Sequence, residues 1–254
     1  MKISIITVCF NSEEYIASAI ESVLEQDYTD IEYIVVDGNS SDRTLDIIKS
    51  FECSFEGRLK WISEPDNGLY DAMNKGIKMA TGDVVGILNS DDFYNHADCI
   101  TLIVNALLDE HIDSCFADVR FVKPSDLNKT VRYYSSGKFN PSKFRYGYMP
   151  AHPSFFVRKR CFEQYGYYKT DYQIAADYEL LVRFLQANKI TYKYLPLDII
   201  KMRTGGKSTK NWKSNYVLNK EIVRGCRENG ISTSMCLLFF KYFVKVFEFI
   251  KTRD

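Results

Sequence analysis

The sequence predicts an α/β protein: a mostly parallel central sheet flanked by helices, three layers in all. Over the first ninety residues, short β-rich apolar runs alternate with segments whose apolar residues recur at helical spacing. The strand runs are almost continuously apolar, as strands covered on both faces must be. Two of the most polar short segments, 37–42 and 89–92, follow strand ends. In open parallel sheets, ligands sit beyond the carboxyl ends of the strands.

Ile3–Val8 (ISIITV) is the first strand. Asn11-Ser12 then offers a helix N-cap, with Glu13 and Glu14 in the first turn and Ile16, Ala19, Ile20, Val23 and Leu24 at helical spacing. Tyr33–Val36 is the second strand, ending at Asp37-Gly38, and Asn39-Ser40-Ser41-Asp42 caps a helix bearing Leu45, Ile47, Ile48 and Phe51. Leu59–Ser63 reads as a strand, Leu69–Ala80 as a helix and Val84–Leu88 as a fourth strand running into Asn89-Ser90-Asp91-Asp92.

The second half is less regular. Strands are expected at Cys115–Val122, Val131–Tyr134, Ser154–Arg158 and, broken at Pro196, Tyr192–Met202. Helices are expected at Asp177–Ala187 and Lys213–Glu228. No internal repeat or Pro/Gly linker divides the chain, so 1–230 is expected to be one domain, followed by a tail, 231–254.

Lysines and arginines equal aspartates and glutamates at 33 each. Bulk charge therefore offers no attraction for nucleic acid, and none is expected as a partner. Seven scattered cysteines without a CxxC pair read as buried thiols in a reducing compartment. Met1 runs directly into a strand, and no apolar stretch approaches the ~20 residues that span a bilayer, so a cytoplasmic protein is expected. Neither GxGxxG nor GxxxxGK[ST] is present, which removes the dinucleotide and P-loop readings.

Carboxylates at strand ends take their place. Adjacent Asp91 and Asp92 would repel and resist burial unless something offsets their charge. A divalent cation, Mg²⁺ or Mn²⁺, bridging a carboxylate to a diphosphate would do so. An Asp-rich turn with a helix cap is the alternative.

Residues 3–11 (ISIITVCFN), 33–44 (YIVVDGNSSDRT), 63–82 (SEPDNGLYDAMNKGIKMATG) and 87–92 (ILNSDD) resemble, in order and spacing, the motifs of family-2 glycosyltransferases of the GT-A fold. Within that family they are similar to bacterial enzymes that assemble capsule, O-antigen or exopolysaccharide. The resemblance implies a Rossmann-like nucleotide-sugar-binding half over 1–95 and an acceptor-binding half over 96–230. It implies that Thr7 and Phe10 meet the nucleotide base, that Asp37 recognises it (usually uracil) with Asn39 beside it, and that Asp66 and Asn74 line the donor pocket. Asp37-Gly38 could instead be a simple turn, and Asn74 could brace a helix. Asn89-Ser90-Asp91 stands where the family has Asp-x-Asp, with Asn89 replacing the first Asp. Asn89 can still bond a ribose, and Asp91, with Asp92 beside it, would hold the metal.

Ala175–Leu180 (AADYEL) resembles the motif that supplies the family's general base, which makes Asp177 the candidate and Glu179 its reserve. Ala176 replaces the usual Glu, and Asp177 could equally be a helix cap. His152, in a Pro-rich turn, resembles a position flanking the acceptor cleft. Arg203–Ser208 resembles a late segment closing over the diphosphate, where Arg203 or Lys207 could offset leaving-group charge; a solvated hinge is the alternative.

Met235–Lys251 is apolar except for a stripe of Lys241, Lys245 and Glu248. Such a helix suits a membrane interface, on the inner face of the cell membrane, or a second copy of the chain. The implied partners are a nucleotide-sugar donor, probed best with UDP, and a saccharide or lipid-linked saccharide acceptor. A sugar-phosphate nucleotidyltransferase, which would open with a Gly-rich basic loop that 8–14 lacks, and a non-catalytic nucleotide-sugar-binding scaffold are the rival readings.

Overall fold

The computed structural model describes residues 1–205 and 212–238. The predicted tail from 239 onward, and Lys207 and Ser208, lie outside them. Four strands open the chain: β1 (Ile3–Cys9), β2 (Ile31–Asp37), β3 (Leu59–Ser63) and β4 (Val84–Ile87). They are parallel in the order β3-β2-β1-β4. Five more join the same sheet: β5 (Asp92–Tyr94), β6 (Ser114–Lys123), β7 (Asp126–Tyr134), β8 (Phe156–Arg158) and β9 (Tyr192–Arg203). The full order is β3-β2-β1-β4-β8-β6-β9-β5, with β7 paired to β6.

Strand period sorts the apolar residues onto two faces. Ile6, Val8, Ile34 and Val36 join one core, with Met73 and Ile77 of helix α3 (Leu69–Met79). Ile5, Tyr33 and Val35 join the other, with Ile16 and Ile20 of helix α1 (Ile16–Leu24). Every residue of β1 and β2 is buried, which is why their sequences lack alternation. Gly76 lets α3 lie tight on the sheet: a Cβ there would fall 2.4 Å from Ile6 Cγ2. Helices α2 (Thr44–Ser50) and α4 (Cys99–Ala106) follow in the first half. Helices α5 (Lys159–Tyr165), α6 (Ala176–Leu181) and α7 (Trp212–Glu228) follow in the second.

The structure departs from the sequence expectation in particular places. Helix α1 begins at Ile16, and Asn11-Ser12 provides no side-chain cap. Asn11 instead turns left-handed (φ 49°), and its Oδ1 accepts the Ser41 N–H at 2.9 Å, binding two loops together. The expected helix Asp177–Ala187 is α6 continued by a π-helical stretch, Val182–Ala187. The strand expected from Ser154 begins at Phe156 instead, and Ser154 closes a 3₁₀ turn, His152–Ser154. At Pro196 the β9 register jumps, Leu195 opposing Ala117 and Asp198 opposing Asp118. Proline has no N–H to give the ladder, so the strand bulges there.

Candidate active site

The carboxyl ends of β1, β2 and β3 form the first part of the site. Phe10, just past β1, is 53% exposed, while Asn39, past β2, takes a left-handed turn (φ 64°). Gly38 between them is a close approach: a Cβ there would meet Asp66 Oδ2 at 2.6 Å and Phe10 Cδ2 at 3.4 Å. Phe10, Gly38, Asn39 and Asp66 are thus brought together as an aromatic face beside a carboxylate. Asp37 lies beneath them with no exposure. Its carboxylate accepts the Ser40 N–H (3.0 Å) and hydroxyl and the Ser63 hydroxyl (2.6 Å).

Two of the expected donor-site residues face the interior instead. Thr7 is fully buried, and its hydroxyl accepts the Tyr33 O–H at 2.9 Å. A β1 residue inside the sheet layer presents nothing to a base at the strand end. Asn74 bonds the main chain of Tyr168 in both directions, donating to its carbonyl at 2.8 Å and accepting its N–H at 2.9 Å. Its amide braces the second half of the chain.

The turn after β4 forms the second part. Asn89 donates its amide to Asp92 Oδ2 at 2.9 Å, and the Asp92 N–H bonds the Asn89 carbonyl at 3.1 Å. Asp92 starts β5, opposite Met202 of β9, and is 2% exposed. Burial and the neighbouring Asp91 charge push its pKa up, against the Asn89 amide and Arg203. Asp92 is therefore a buried anchor, which corrects its assignment as a metal ligand and turns Asn89 away from a ribose. Asp91 stands at the tip, partly exposed, and among the described residues no donor is bonded to its carboxylate.

Arg203, at the end of β9, closes this turn from behind. Its Nη1 donates to the Asp91 carbonyl at 2.6 Å and its Nη2 to Ser18 Oγ at 2.9 Å. The guanidinium lies 5.0 Å from the Tyr15 ring centroid and 4.7 Å from that of Phe93. Burial lowers its pKa while Asp91 and Asp92 oppose that. Arg203 thus holds the turn that carries Asp91, and this occupies the group expected to meet the diphosphate.

The third part gathers around Asp177, in the first turn of α6. Burial raises its pKa from the ordinary 3.8, and His152 opposes the rise. His152 is itself buried, its pKa lowered by burial, and its Nε2 lies 2.7 Å from the Tyr168 hydroxyl. Tyr70, in the first turn of α3, stacks on Tyr168 with centroids 5.8 Å apart. Its hydroxyl donates to the Ile174 carbonyl at 2.5 Å, just ahead of Asp177. The reserve candidate Glu179 is excluded: it is fully buried, paired with Arg183 at 2.9 Å and Lys169 at 3.1 Å.

Asp91 follows β4, and Tyr70 opens the helix after β3, so the turn and the Asp177 cluster share the sheet's carboxyl edge. That edge combines an exposed aromatic ring beside a carboxylate, the partly exposed carboxylate of Asp91 and the half-buried Asp177 carboxylate of raised pKa. Residues 4–166 match the family described as glycosyl transferase family 2. The chain belongs to that family.

Named relatives agree with the family 2 membership. A PGL/p-HBAD biosynthesis glycosyltransferase of Mycobacterium bovis is 27% identical over 87% of this chain and 82% of its own. An uncharacterized glycosyltransferase of Mycobacterium tuberculosis is 33% identical over 71% and 68%. The protein is accordingly a transferase. Solved structures share its fold, that of GT-A glycosyltransferases. S. aureus TarS 1–349 in complex with UDP-GlcNAc has a TM-score of 0.67 at 20% identity, covering 89% of this chain and 66% of that one. The mannosyltransferase PcManGT of Pyrobaculum calidifontis, in complex with GDP-Man and Mn²⁺, has a TM-score of 0.68 at 18% identity. This chain spans 63% of that protein's length and 39% of a longer TarS chain.

Two residues that position the family 2 site carried little signal in the sequence. Glu221, on α7, accepts the N–H groups of Gln173 (2.7 Å), Ile174 (2.9 Å) and Ala175 (2.9 Å), fixing the segment that leads into Asp177. Only the tertiary fold brings it there, 46 to 48 residues along the chain. Tyr70 sits inside a quoted motif, yet its partner Ile174 is 104 residues away. No described helix is long and apolar enough to cross a membrane.

Proposed function

We propose that this protein is an inverting glycosyltransferase that moves a sugar from a nucleotide-sugar, a UDP-sugar first among them, to a hydroxyl of a saccharide or lipid-linked saccharide. Its setting in this reading is bacterial surface polysaccharide synthesis. The observation that carries it is the division of labour in the turn after β4: Asp92 is buried and bonded by Asn89, and Asp91 beside it is partly exposed. The nucleotide-sugars held by TarS and the mannosyltransferase, two proteins of the same fold, support the donor class.

The base of the nucleotide stacks on Phe10 and meets Asp66 at the Gly38 approach. Asp37, bonded to Ser40 and Ser63, supports that floor from below. Among the described residues no group of three or more His, Cys, Asp or Glu side chains could hold a metal. A single partly exposed carboxylate fits a cation that takes its other oxygens from diphosphate and water. Asp91 would hold such a divalent ion, Mn²⁺ or Mg²⁺, which when bound supplies positive charge against the leaving nucleoside diphosphate.

Asp177 takes the proton of the acceptor hydroxyl as its oxygen attacks the anomeric carbon. The bond from that carbon to the diphosphate oxygen breaks on the opposite face, so the configuration inverts in one displacement. Burial keeps the Asp177 carboxylate basic enough to accept the proton, and His152 opposes part of that rise. The apolar, lysine-bearing composition of 235–251 suits a membrane surface that would present a lipid-linked acceptor, or a second copy of the chain.

The test is nucleotide release from a panel of UDP-, GDP- and dTDP-sugars, with the anomeric form of the freed sugar read by proton NMR. Release of UDP with an inverted sugar, abolished by Asp177→Asn, is expected. Retention of configuration, or undiminished turnover by Asp177→Asn, would overturn the mechanism. Binding without turnover in the wild type would favour the scaffold reading.

A further inference from the structure

Helix α3 touches both halves of the proposed site. The loop before it carries Asp66, whose Oδ1 accepts the Gly68 N–H at 2.8 Å and whose Oδ2 borders Gly38. That loop is tied to the helix: the Asn67 N–H bonds Asp71 at 3.0 Å, and Lys75 bonds the Pro65 carbonyl and Glu64, each at 2.8 Å. These bonds fasten the loop to the helix.

The same helix grips the segment 168–177 at both ends. Asn74 holds the main chain of Tyr168. Tyr70 holds the Ile174 carbonyl, two residues before α6 begins. Three side chains link up beside the Asp177 turn: Tyr70 from α3 stacks on Tyr168 of the gripped segment, and His152, from the 3₁₀ turn before β8, lies 2.7 Å from the Tyr168 hydroxyl. Tyr70 alone among them belongs to α3, the helix to which the Asp66 loop is tied.

We propose that Tyr70 is a positioning residue that couples occupancy of the donor pocket to the placement of Asp177. A nucleotide at Gly38 and Asp66 fixes the 64–68 loop, α3 follows, and the Tyr70 hydroxyl sets the 174–177 backbone. The base is then in place when a donor is present. This inference rests on the donor and base assignments made above.

Hydrogen exchange of the full-length protein with and without UDP and Mn²⁺ tests it, in the wild type, Tyr70→Phe and Asp177→Asn. Wild-type amides over 173–177 are expected to slow about tenfold or more with UDP and Mn²⁺. Tyr70→Phe is expected to bind UDP with unchanged Kd yet show less than about a threefold slowing there. Asp177→Asn is expected to keep the full response. Equal slowing in Tyr70→Phe and wild type overturns the coupling. Failure of the wild type to bind any nucleotide overturns the donor assignment, and the coupling with it. A Tyr70→Phe that unfolds is replaced by Tyr70→Leu, which likewise has no donor for the Ile174 carbonyl and carries the same expectation.

Discussion

Asn89 donates its amide to the buried carboxylate of Asp92 at 2.9 Å, while the adjacent Asp91 stays partly exposed. Asp92→Asn preserves an acceptor for Asn89 without the charge. It is expected to stay folded and to keep the nucleotide and metal response of the wild type. Asn89→Ala leaves a buried carboxyl without its partner and is expected to cost about 1–3 kcal/mol in urea unfolding. A neutral Asn89→Ala would show that the turn is held by Arg203 alone.

Glu221 gathers three backbone N–H groups ahead of Asp177. Glu221→Ala strands those donors in a buried place, with an expected loss of about 2–4 kcal/mol in stability and at least tenfold in turnover. Glu221→Gln can still accept one or two of the bonds and should lie between. Chemical denaturation paired with nucleotide-release rates separates the two effects.

A general base works only when deprotonated. Burial raises the Asp177 pKa from 3.8, so turnover is expected to fall with acid along a limb centred above that value. His152 opposes the rise, so His152→Ala should move the limb to still higher pH. A pH–rate profile without an acid limb above pH ~4 would place the base elsewhere.

The opposite end of the sheet has its own titration. Burial alone would raise the Glu32 pKa, but Lys60 at 2.6 Å, the Thr81 N–H and hydroxyl, and Ser4 outweigh it and hold it at about 2, below 4.5. A depressed carboxyl stabilises the fold above its unfolded pKa and loses that contribution as pH falls through the folded one. Between pH 4.5 and 2 the wild type should lose up to about 3 kcal/mol more than Glu32→Gln, measured by urea unfolding at each pH.

The parallel half of the fold was legible because β1 and β2 are buried on both faces and so read as unbroken apolar runs. Its ligand edge was legible because polar residues cluster directly after those runs. The burial of Thr7 was not, since position 7 looks the same in sequence whether its hydroxyl meets a base or Tyr33. Arg203 was read as a loop cation because its partners, Asp91, Ser18 and two rings, come from the other half of the chain. The choice between Asp91 and Asp92 likewise depended on the pairing of β5 with β9. Long-range contacts of this kind leave no local pattern to read.

The central claim is that the β-strand ends hold a nucleoside diphosphate through a metal at Asp91. Thermal unfolding of the wild type and Asp91→Ala, with UDP in the presence and absence of Mn²⁺, tests it most directly. A midpoint rise that needs both UDP and Mn²⁺ in the wild type and disappears in Asp91→Ala is the predicted result. The same rise in both proteins, or one that ignores Mn²⁺, would contradict the claim.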